Sequence, residues 1–191
     1  MKNFVSPIPK TLSLRCVFCC ALVLAGATLP RSARAGDSIR TAGDVLQIAL
    51  PAAAYGDTFW HRDWPGAWEY TESLGTTLGA TYTLKYTVNE KRPNGGSHSF
   101  PSGHTSASVS AAEFIRKRYG WEYALPAYAL AGFVGYSRVE SREHHPHDVL
   151  AGAAIGFVQS FIFTKPLPCH LHAEALGGPT DAQGIKFVHV W

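Results

Sequence analysis

The stretch KYTVNEKRPNGGSHSFPSGHT, residues 85–105, runs from the end of one helical pattern to the start of another, and the rest of the chain is read outward from it. Lys85 and Arg92 are seven residues apart, two turns of a helix, so they are expected on one face together with Leu74 and Leu78, with Pro93 marking the helix end. A lysine on an inward-looking apolar stripe needs an anion beside it, because an unpaired buried charge is costly. Phe100-Pro101-Ser102-Gly103-His104-Thr105 then leads from loop into helix. Gly103 admits a ligand close to the backbone, the first-turn N–H groups favour an anion, and His104 is placed to give or take a proton. Taken singly, either segment also describes a solvated cation pair or an ordinary cap and turn.

Around this stretch the hydrophobic spacing predicts an all-α fold, a helical bundle of about five core helices with a short C-terminal β-hairpin. The expected helices are Asp44–Tyr55, bent or ended early by Pro51; Pro65 to about Asn89; Thr105–Tyr119, closed by Arg116-Lys117-Arg118 and Gly120; Trp121–Val139; and Pro146–Phe163. The last two are the most apolar, yet each falls short of the roughly 20 residues that cross a bilayer squarely. With a mean hydropathy of −0.03, this favours a soluble bundle whose middle helices are fully buried. Beyond Pro166 the pattern changes to period two at Ile185–Trp191, and Cys169–Ala175 is expected to pair with it across Gly177-Gly178-Pro179.

The 191 residues make one domain with a real core. Residues 1–35 carry five basic residues and no acid, and contain the apolar run Cys16–Leu29 and then Ala33-Arg34-Ala35. They read as a secretory signal, which makes the expected location exported and periplasmic, touching a membrane face at most. The expected domains are thus a signal at 1–35, a helical domain at 36–165 and a tail or hairpin at 166–191. Without the signal, 12 basic residues stand against 14 acidic ones, so the net charge of +3 becomes −2 and a nucleic-acid footprint disappears. Cys169 is then the sole cysteine, which leaves no disulfide framework.

A third segment, SRVESREHHPHD at residues 137–148, contributes Ser137-Arg138, then His144 after five residues, then Asp148 after three more. Pro146 suits a first helical turn, which places His144 just ahead of a helix and Asp148 inside its start, where the carboxylate reaches back to a ring N–H. The bland version is a loop histidine beside a helix-start acid. In combination, three cations, a helix start and two histidines suit a tetrahedral oxyanion. The order Lys, six residues, Arg-Pro; Pro-Ser-Gly-His; Ser-Arg, five residues, His, three residues, Asp resembles the type 2 phosphatidic acid phosphatase superfamily, which includes bacterial acid phosphatases and vanadium haloperoxidases. The seven residues Asn94–Phe100 between the first two motifs make a shorter link than in the soluble acid phosphatases.

The resemblance implies a metal-independent phosphatase acting on phosphomonoesters or pyrophosphates, lipid-linked ones included. His144 would attack phosphorus to form a phosphohistidine, Asp148 would orient it, and His104 would protonate the leaving oxygen and then activate water. Lys85, Arg92 and Arg138, with the Ser102 hydroxyl and the Gly103 N–H, would hold the phosphate oxygens. The expected partner is a phosphorylated small molecule or lipid phosphate, with no cofactor. The alternatives are a vanadium-dependent haloperoxidase and an envelope protein that binds phosphate or lipid head groups without turnover. No metal site is expected: His145 and His147 around Pro146, and Cys169-His170-Leu171-His172, each fall short of four converging ligands. Arg116–Arg118 with Tyr119, Trp121 and Tyr123 read as a capped, solvated helix end, the alternative being peripheral contact with a membrane surface.

Overall fold

A computed structural model describes residues 35–167 and, by backbone alone, two strands at His170–Leu176 and Gly184–Val190. The expected signal segment up to Arg34, and Cys169, lie outside the described residues. The described part holds five helices: α1 (Ala35–Trp60), α2 (Trp64–Val88), α3 (Gly103–Tyr119), α4 (Trp121–Glu140) and α5 (Pro146–Phe163). This is the all-α bundle that the spacing predicts. The strands β1 (His170–Leu176) and β2 (Gly184–Val190) pair antiparallel, with His170 opposite Val190 and Leu176 opposite Gly184.

Two helix ends differ from expectation. The first helix does not stop at Pro51, which sits inside α1. Proline in a helix interior costs about 3 kcal/mol. Here Leu50 and Ala54, on either side of it, are buried in the core and carry the helix through. The second helix stops at Val88, where Asn89 adopts a left-handed cap at φ 42°. Pro93 therefore is not its terminator. Arg92 lies in the following loop and does not share a helical face with Lys85.

The other boundaries follow local chemistry. Asp63 caps α2 by accepting from Gly66 N–H at 3.0 Å, and Pro65 occupies its first turn. Ser102 caps α3, and Gly120 at φ 102° ends it. At this end of the bundle Arg118 makes two 2.6 Å bonds to Asp63, and Tyr119 OH donates to the same carboxylate at 3.0 Å. Arg118 is buried rather than solvated, so it is the rivet between α2 and α3.

Helix α3 is central and touches each of the other four helices. Its buried face is small and mostly polar from Thr105 to Ser110 and carries Phe114, Ile115 and Tyr119 of the apolar core further on. Ser110 bonds Ser73 of α2 at 3.2 Å, Thr81 donates to Ser106 at 3.0 Å, and Ser160 of α5 donates to the Ser110 carbonyl at 2.9 Å. Its contact with α5 is a close approach of backbone to backbone. A Cβ on Gly152 would lie 2.4 Å from the Ser102 carbonyl oxygen, and one on Gly156 would lie 2.2 Å from that of Ser106.

The apolar helices are not buried as expected. Helix α5 keeps Asp148, Gly152, Gly156 and Ser160 inside and turns Leu150 (70% exposed), Val158, Phe161 and Ile162 (62% exposed) outward. Helix α4 likewise exposes Leu125, Phe133, Tyr136 and Val139. The central helix is thus more polar than the outer ones, the reverse of what water selects. Mean hydropathy averages the two and conceals the arrangement. Among the described residues, α5 is long and apolar enough to cross a membrane.

Gly156→Ala should destabilise the bundle by about 1–3 kcal/mol through overpacking. Gly75→Ala, where nothing lies within 4 Å of the new methyl, should be neutral or stabilising by up to about 1 kcal/mol. Thermal unfolding of the two variants in the same detergent checks the contrast.

Candidate active site

Five helices contribute to one end of the bundle. Lys85 comes from the last turn of α2, Gly103 and His104 from the first turn of α3, Arg138 from the last turn of α4, Asp148 from the first turn of α5, and Asp44 from the N-terminal part of α1. Arg92 and His144 come from the loops preceding α3 and α5.

Asp148 anchors the arrangement. It is fully buried, and its Oδ2 accepts from Ser99 Oγ at 2.5 Å and from His145 N–H at 2.8 Å. Its carbonyl accepts from Ser102 N–H at 3.0 Å, which ties the start of α5 to the start of α3. His144 Nδ1 lies 3.4 Å from Asp148 Oδ2, an ion-pair distance that is long for a hydrogen bond, and the His144 N–H donates to the Arg138 carbonyl at 3.2 Å. Burial, reinforced by the Lys85 and Arg92 charges, pushes the His144 imidazole down to about 4, against the pull of Asp148. The ring is therefore neutral at ordinary pH, with an available lone pair.

Each cation has a partner within the protein. Arg138, 2% exposed, donates to Asp44 Oδ1 and to the Arg40 carbonyl at 2.6 Å each, and His104 Nε2 meets the same Asp44 oxygen at 3.0 Å. Arg92 and Arg40 grip Glu143 at 2.6 and 3.0 Å. Lys85 Nζ donates to the His98 carbonyl at 2.9 Å. The Ser102 hydroxyl is buried and occupied with Thr105, so it serves the helix cap; the Gly103 N–H belongs to the open first turn of α3. Cations clustered in this way suit an oxyanion, because charge-assisted bonds are the strong ones.

The residues singled out from the sequence thus meet at one end, but Asp44, Glu143, Ser99 and Arg40 were not among them. Glu143 had a local signal, an acid set directly before His144 in a cation-rich segment. Asp44 and Ser99 had none, since their partners lie 94 and 49 residues away.

The PAP2 superfamily model matches residues 80–167. Over 166 residues the chain is 31% identical to the lipid A 4'-phosphatase of Helicobacter pylori, covering 78% of this chain and 83% of that protein. In fold it is similar to the crystal structure of LpxE from Aquifex aeolicus (TM-score 0.52, 18% identity, 76% of this chain and 93% of that one). It is also similar to the transmembrane PAP2-type phosphatidylglycerolphosphate phosphatase of Bacillus subtilis (TM-score 0.50, 22% identity, 78% and 92%). The chain belongs to the PAP2 superfamily, the type 2 phosphatidic acid phosphatases. It is a phosphatase.

His144 should titrate near 4 in histidine-ring NMR of the ligand-free protein. Asp148→Asn should lower that value further, because it removes the negative charge that favours the imidazolium, whereas Arg92→Gln should raise it.

Proposed function

We propose that the chain is a membrane-seated lipid phosphatase that hydrolyses a phosphomonoester or pyrophosphate on a lipid, lipid A phosphate being the first candidate, without a metal. The observation that carries the lipid reading is an apolar groove of about 520 Å³ between α4 and α5. Its floor includes Thr105 and Val109 of α3, and its walls include Tyr128, Gly132 and Tyr136 on one side and Val149, Ala153 and Phe157 on the other. Thr105 follows His104 directly, so the groove ends beside the cation cluster. A lipid chain fits such a trough with its phosphate among Lys85, Arg92 and Arg138.

The outward apolar faces of α4 and α5 support the membrane seating. At the end opposite the site, Trp60, Trp64, Trp68 and Trp121 are exposed, and the Arg116 guanidinium lies 5.3 Å from the Trp121 ring centre. Tryptophan with basic residues is the pattern of a membrane–water interface. The chain then sits with that belt at one interface and its active end at the other, on the exported side.

In the proposed reaction His144 attacks phosphorus in line, the P–O bond to the lipid breaks, and His104 gives the departing oxygen its proton. Water activated by His104 then attacks the phosphohistidine, freeing inorganic phosphate and returning His144. Asp148, held by Ser99 and His145, stabilises the positive imidazole as it forms. Lys85, Arg92, Arg138 and the Gly103 N–H neutralise the equatorial oxygens.

The test is release of inorganic phosphate from lipid A and from phosphatidic acid in mixed micelles, set against p-nitrophenyl phosphate. His144→Ala should abolish release from all three while remaining folded; retained turnover removes His144 as nucleophile. Gly132→Leu, whose side chain enters the groove without a close neighbour, should raise KM for the lipids and leave the soluble ester unaffected. Equal effects on both would sink the groove assignment. Activity should survive chelators, and on the acid side it should fall only as pH approaches about 4, where His144 becomes protonated and loses its lone pair.

A further inference from the structure

The hydrolytic reading leaves unused a group of side chains at the rim of the site. Glu90 follows the cap of α2, and its Oε1 lies 2.9 Å from His147 Nε2. The same nitrogen is 3.2 Å from Asp148 Oδ1. The three ligand atoms lie within 4.8 Å of one another. His145 stacks on His147, with ring centres 5.2 Å apart and planes 7° from parallel, which brings its Nε2 to 3.9 Å from Glu90 Oε1.

Asp148 adds an independent observation. The residue is fully buried, its Oδ2 accepts two hydrogen bonds, and its Oδ1 accepts none. A buried carboxylate oxygen without a donor is expensive, and this one points at the Glu90–His147 pair. Either a proton on His147 or a cation satisfies it.

We infer that Glu90, His147 and Asp148 form a divalent-cation site suited to Zn²⁺, through which the cation inhibits the enzyme. Tetrahedral zinc with ligands at 2.0–2.2 Å places neighbouring ligand atoms roughly 3.3 Å apart. The observed 2.9 and 3.2 Å separations are close to that value without repacking. Imidazole nitrogen and carboxylate oxygen are both zinc donors, and water can take the fourth position. The two carboxylates also bring the negative charge that a divalent ion needs at a partly buried position.

The inhibitory sign comes from what Asp148 does on its other oxygen. His144 Nδ1 is 3.4 Å from Asp148 Oδ2. A cation on Oδ1 draws the carboxylate's charge away from the imidazole and adds positive charge nearby, so the positive ring formed on attack loses its support. This half of the inference rests on the proposed roles of His144 and Asp148; the site itself does not.

The experiment uses the full chain in detergent, free of any polyhistidine tag, and two readouts: the visible absorption of bound Co²⁺, and Zn²⁺ inhibition of phosphate release. Glu90 contacts no side chain assigned to hydrolysis, so the activity of Glu90→Gln without metal should match the parent; His147→Ala removes the nitrogen 3.2 Å from Asp148 Oδ1 and is judged by its metal response alone. Both should lose the Co²⁺ bands and need about tenfold or more Zn²⁺ for the same inhibition. Co²⁺ spectra and Zn²⁺ sensitivity unchanged in both variants would overturn the site. Binding that depends on Glu90 and His147 yet leaves turnover untouched would overturn the inhibitory role. If His144→Ala stays active while Co²⁺ binding still requires Glu90 and His147, the hydrolytic reading fails and the cation site stands.

Discussion

The close approach of α5 to α3 is the constraint on which the site depends. Gly152 and Gly156 bring the α5 backbone against the Ser102 and Ser106 carbonyls, nearer than any side chain would allow. At that separation the Asp148 carbonyl accepts from Ser102 N–H, and the Asp148 side chain reaches Ser99. One contact therefore sets the phosphate-binding turn at the start of α3 and the His144 loop at the start of α5 relative to each other. Packing built on larger residues would separate the two motifs by the width of a side chain, and positioning errors of about an ångström are costly in catalysis.

The same choice of small and polar residues inside the bundle explains its apolar exterior. Ser73, Thr81, Ser106, Ser110 and Ser160 bond to one another or to backbone across α2, α3 and α5, while Leu150, Phe161 and Ile162 face outward. Water would favour the opposite sorting, whereas lipid rewards close backbone contact and satisfied polar groups. In the proposed orientation, lipid is both the solvent of the outer faces and the source of substrate, and the α4–α5 groove connects the two.

Much of this was legible in the sequence because the three motifs are local. Pro-Ser-Gly-His reads as a capped helix start, and His144 to Asp148 as one turn. Helix starts with strong signals, Pro65 and Pro146, fall where expected. What was hidden lay in long-range pairing and in context. Asp44 and Glu143 neutralise Arg138 and Arg92 across the fold, and no spacing rule links them. Arg92 was misplaced because Asn89, not Pro93, ends α2. The burial of α4 and α5 was misjudged because an average hydropathy carries no information about which face is apolar.

The account turns on a covalent phosphate at His144. A rapid alkaline quench during turnover of a lipid phosphate labelled on phosphorus tests this directly, since phosphohistidine survives base and is lost in acid. The account predicts base-stable, acid-labile label on His144, absent in His144→Ala. Label on another residue, or a burst of released phosphate with no labelled protein at any quench time, would contradict it.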